Sequence, residues 1–170
     1  MWAWLAAALT ASYANQLEAP SEFAKLVTFT AIALGGLASA VAGWIADRIG
    51  KAELAIVAMF FSSLFAIAFA VCFGGPYWLI SIIAVLWGLF IIPDSAQFSA
   101  LIADYSPPEL AGSIMTLQTA LGFALTAVTV QLAPVIANLL GWPTVMGALA
   151  MGPIFGIVCM LPLRRSKPVE

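Results

Sequence analysis

Long apolar stretches separated by short segments rich in charge, Gly and Pro constrain this chain more than any other feature. They cover residues 1–16, 23–46, 53–73, 77–103, 110–139 and 143–163, and leave 164–170 as a tail. A bilayer core of about 30 Å is crossed by roughly 20 apolar residues in helical form. Of the 170 residues, 64% are hydrophobic and 8% charged, where a soluble domain carries about 25% charged residues. Six Lys and Arg with eight Asp and Glu cannot cover the surface of a soluble chain this long. The sequence predicts one all-α domain, a polytopic membrane helix bundle of about six transmembrane helices with the lipid bilayer as its solvent.

Composition also excludes functions. The net charge of −2 leaves no basic face for nucleic acid. The chain has no His, the commonest metal ligand and proton shuttle. Cys72 and Cys159 lie in apolar runs without C-x-x-C spacing and read as packing residues. No metal site, cofactor or catalytic cluster is expected, and the chain does not read as an enzyme.

Residues 1–16 carry no charge. A signal peptide would normally open with Lys or Arg, so a spanning helix is the better reading, although 16 residues rise only about 24 Å. Before the second span, Ser21 is the expected N-cap and Glu22 falls in the first turn. Within that span Gly35, Ser39 and Gly43 share one helix face, where small residues let another helix approach. The third span is apolar apart from Ser62 and Ser63. Gly74-Gly75-Pro76 marks a turn, and the fourth span carries Pro93-Asp94 followed by Ser95, Gln97 and Ser99. Ser106-Pro107-Pro108-Glu109 predicts a capping box at the start of the fifth span. On that span Gln118, Gly122, Thr126 and Thr129 form a polar stripe. Gly141-Trp142-Pro143 is the next turn, and Gly152-Pro153 lies inside the sixth span.

Alternating the segments between the two sides puts Arg48, Lys51, Arg164, Arg165 and Lys167 on one side and Lys25 on the other. The excess of cations makes the first side cytoplasmic. Trp44, Tyr77, Trp78, Tyr105 and Trp142 fall near the expected interfaces, while Trp87 lies within a span.

Between the second and third spans, on the cytoplasmic side, stands Gly43-x-x-x-Asp47-Arg48-x-Gly50-Lys51. Gly50 permits a left-handed helix stop. Asp47 can face another helix's N-terminus, and Arg48 can fork to a carboxylate. The alternative is simple charge anchoring at the interface. The pattern resembles the cytoplasmic loop signature of the major facilitator superfamily of secondary transporters, with Ala52 where a second basic residue is usual. The resemblance runs from residue 1 to about 167 and extends to span count and short loops. It implies half of that fold, helices seven to twelve of twelve, given the basic tail and the abrupt first helix. It also implies that the motif is a latch to a complementary six-helix half. By the same resemblance the first and fourth spans line a central path and the second and fifth flank it, with the third and sixth outermost.

Asp94 is the sharpest single residue. An acid inside a span is costly and usually faces the bundle interior or a water-filled cavity. It stands 17 residues after Tyr77, about 26 Å along a straight helix, towards the cytoplasmic side. It is a candidate for gating, proton coupling or substrate contact, or else for local hydrogen bonding. Gln97 lies three residues on. Gln118, Thr126 and Thr129 are further cavity or gating candidates, with interhelical hydrogen bonding as the alternative. The expected function is secondary active or facilitative transport of a small-molecule or ion substrate by alternating access, in the plasma membrane of a bacterium (the inner membrane). The rival is a non-transporting membrane module or a nonfunctional fragment.

Overall fold

The structure, a computed structural model, describes residues 1–162. Among these the chain forms seven helices: α1 (Trp2–Tyr13), α2 (Pro20–Ile49), α3 (Lys51–Val71), α4 (Tyr77–Tyr105), α5 (Pro108–Leu140), α6 (Trp142–Ala148) and α7 (Met151–Met160). Counting α6 and α7 as one span, five helices are long and apolar enough to cross a membrane. At 12 residues, α1 rises only about 18 Å. The tail 164–170 lies outside the described residues.

Two glycines turn the chain on single residues. Gly50 has φ 100° and ψ 137°, and Gly141 has φ 84° and ψ 161°, a backbone region essentially reserved for glycine. Each ends one helix and starts the next. Their N–H groups donate to the Ala46 and Ala137 carbonyls, so each preceding helix closes on a satisfied turn.

Proline sets two helix starts differently from expectation. Ser106 is not the cap of the fifth span: it is extended, at φ −108° and ψ 146°. The N-cap is Pro107, with no side-chain cap hydrogen bond, and the helix begins at Pro108. A residue before proline is driven out of the α region. With two prolines in series, both Ser106 and Pro107 stay extended, which places the Ser106 hydroxyl one residue too early. Similarly, α2 starts at Pro20 with Ala19 as N-cap, so Ser21 lies inside the helix, because the fixed φ of Pro20 suits its first position. Glu22 does occupy the first turn and pairs with Lys25.

The sixth span is interrupted. Leu149 and Ala150 separate α6 from α7, and the Ala150 N–H donates to Gly147, a tightened i−3 bond. Pro153 has no N–H to offer the Leu149 carbonyl, which breaks the helix there.

The bundle is organised around α4, which packs most extensively on α2 and α3. Leu5, Leu9 and Tyr13 of α1 join Phe69, Ile80, Trp87 and Met146 in the main core. A smaller cluster of Ala52, Ala55, Met59, Leu101 and Met160 closes the motif end. The long helix α5 is the least covered: Ala133 is its one buried residue. Leu117, Leu121, Phe123, Leu125 and Leu139 are exposed along it, a surface suited to lipid or another apolar partner. Of the two glycines on the small-residue face, Gly35 meets another backbone, at Gly88, while Gly43 has nothing nearby. Helices that cross at an angle stay in contact for only a turn or two.

Candidate functional site

A cavity of about 370 Å³ lies between α3, α4, α7 and the start of α1. From α4 it is lined by Trp87, Ile91, Asp94 and Phe98. These recur at steps of four, three and four residues, a single helical face, with Ser95 beside them. Met59 and Ser62 of α3 close one wall. Leu149, Gly152, Pro153 and Gly156 close another, so the cavity lies against the interruption of the sixth span, and the third and sixth spans, expected outermost, supply two of its walls. Irregular backbone at membrane depth is tolerated where it is buried in protein or lines a cavity.

Asp94 is 8% exposed. Its Oδ1 accepts a hydrogen bond from the Ser95 hydroxyl at 3.0 Å. No ion pair joins Asp94 to a cation among the described residues. The preceding Pro93 removes one backbone donor from α4, leaving the Leu89 carbonyl without its i+4 partner. Deeper in the wall, the Trp87 indole N–H donates to Ser62 Oγ at 3.2 Å. Trp87 and Ser62 are almost completely buried, so this bond satisfies two polar groups that lipid could not.

The other predicted residues are distributed around this centre. Gln97 is buried on α4 but is not part of the cavity wall. Gln118, Thr126 and Thr129 stand on α5, away from the cavity. Thr126 and Thr129 are exposed, and their hydroxyls donate within their own helix, to the Gly122 and Thr126 carbonyls. Gln118 keeps a buried Oε1 without a hydrogen-bond partner among the described residues.

The loop motif sits at one end of the bundle. Asp47 and Arg48 are exposed at the end of α2, and Asp47 makes no ion pair among the described residues. The Arg48 guanidinium stacks 3.8 Å from the Trp44 ring centroid. Gly43 begins the motif one turn earlier in α2, and Gly50 supplies its turn. Lys51 Nζ reaches Asp104 Oδ2 at 2.6 Å, tying the start of α3 to the end of α4.

Two relationships were not expected from the sequence. The Lys51–Asp104 pair spans 53 positions, and the signal for it, an acid near the end of the fourth span, is present without naming its partner. At the opposite end, Gln16 donates to the Gly75 carbonyl at 2.8 Å and accepts from the Tyr77 N–H at 2.9 Å. It thereby caps α4 from another helix's end, for which no local pattern exists.

A family model described as Major Facilitator Superfamily matches residues 1–170. No curated protein and no solved structure matches the chain.

Proposed function

Because this chain belongs to the major facilitator superfamily, a family of multi-pass membrane transporters, we propose that it moves a small solute across the membrane by alternating access. The observation that carries this reading is the Asp94 cavity. It combines a buried carboxylate with a proline-modified helix and an interrupted neighbouring span, the kind of discontinuity on which transporter sites are built. The exposed faces of α2 and α5 suit a complementary six-helix half, against which this bundle rocks. Asp47 and Arg48 then form the latch between the two, while Lys51 is held within this bundle by Asp104. We assign the motif end to the cytoplasm of a bacterial cell, with the bundle in the inner membrane. Gln97 contributes to gating beside Asp94, and Gln118, Thr126 and Thr129 face the partner half.

Flux into liposomes tests the reading. The chain is reconstituted alone and with a complementary six-helix half, and uptake of candidate solutes is followed. Uptake that requires both halves and falls in Asp94→Asn is expected. A chain that inserts correctly yet supports no flux with any partner half is a non-transporting membrane module.

A further inference from the structure

The wall of the Asp94 cavity carries charge as well as shape. Asp94 is its one ionisable side chain; Met1, which also lines it, carries an amino group that makes no ion pair with Asp94 among the described residues. Asp94 is buried, and Ser95 engages one of its carboxylate oxygens. A carboxylate at membrane depth is costly unless a proton or another cation neutralises it. Around it stand Trp87, Phe98 and Met59. Aromatic faces attract ammonium groups, and a thioether adapts to irregular apolar shapes. The side-chain oxygens of Asp94, Ser95 and Ser62 are too few for a dehydrated divalent ion. Hard divalent cations take six or more oxygens, and no group of three or more His, Cys, Asp or Glu able to hold a metal occurs among the described residues. The volume of about 370 Å³ lies in the range of small-molecule sites, roughly 300–1,000 Å³.

We infer that this cavity binds a monovalent organic cation with an apolar body, an amine or quaternary ammonium, with Asp94 as its counter-ion. The inference rests on the reading of the cavity as a solute site and adds the chemical class of the solute. Asp94 supplies charge, Phe98 supplies an aromatic face for the cationic head, and the open flank of Gly152 accommodates the apolar body.

Binding can be measured without transport. The full chain in detergent is dialysed against phenyltrimethylammonium, its uncharged isostere tert-butylbenzene, and benzenesulfonate, each corrected for matched empty micelles. Saturable binding of the ammonium, about tenfold or more tighter than either comparison ligand, is expected. Asp94→Asn should lose about tenfold in ammonium affinity, and Asp94→Glu should retain most of it. Equal binding of the ammonium and tert-butylbenzene overturns the charge selection and leaves the cavity as a solute site. Preference for benzenesulfonate overturns it too. Binding of none of the three removes both the inference and the solute site. The three-ligand comparison on the unaltered chain stands even where Asp94→Asn does not fold. Ammonium binding without flux in liposomes keeps this inference and removes the transport reading alone.

Discussion

Gly35 of α2 and Gly88 of α4 meet backbone to backbone. A Cβ placed on Gly35 would lie 2.5 Å from the Gly88 carbonyl oxygen, and one on Gly88 would lie 2.5 Å from the Ala31 carbonyl oxygen. Neither obstacle is a flexible side chain, so the helices would have to separate. In lipid there is no hydrophobic drive between helices, and such close approach is a main source of association.

Gly88→Ala is therefore expected to destabilise the bundle by about 1–3 kcal/mol, the usual cost of overpacking. Gly36→Ala, one residue from the contact and with nothing within 4 Å, should be neutral or stabilise by up to about 1 kcal/mol through helix propensity. Denaturant unfolding of both variants in detergent separates them. Equal effects would mean that the crossing does not depend on Gly88.

Gln16→Ala removes the cap that holds the Tyr77 N–H and the Gly75 carbonyl. The site is exposed and water replaces part of the loss, so a cost of about 0.5–1.5 kcal/mol is expected. Hydrogen exchange at the Tyr77 amide should quicken, with the amides in the middle of α4 unchanged.

The Lys51–Asp104 pair is partly exposed, and its contribution should be about 1 kcal/mol or less. Lys51→Ala and Asp104→Ala should lose similar amounts, and the double variant no more than either. A double-mutant cycle at low and high salt checks this, because screening weakens such a pair. A coupling near zero at low salt would make the contact incidental.

Asp47→Asn is expected to change the stability of this chain by less than about 0.5 kcal/mol, as for an exposed charge. In an assembled transporter the same change should shift the balance of inward- and outward-open forms. Spin-label distances across the motif end report that balance. An unaltered distance distribution would reduce Asp47 to an interfacial anchor.

Orientation is tested by Ser21→Cys in a background lacking Cys72 and Cys159. Ser21 is exposed near the end opposite the motif. An impermeant maleimide should label it in intact cells, as the distribution of cations predicts. Labelling only after permeabilisation would invert the topology.

What the sequence determined by itself was local. Apolar length placed the spans, because a bilayer demands about 20 residues of unbroken helix. Gly50 and Gly141 marked their turns, because few other residues adopt that backbone. Tertiary structure decided which faces meet. Lipid-exposed and protein-facing surfaces are both apolar, so hydropathy does not rank them. It therefore did not distinguish Gly35, which packs on Gly88, from Gly43, which packs on nothing. Nor did it pair Lys51 with Asp104, or set Asp94 against the interrupted sixth span. These contacts join residues far apart in the chain, selected by shape and by the need to satisfy polar groups in lipid, and both conditions exist only once the helices are assembled.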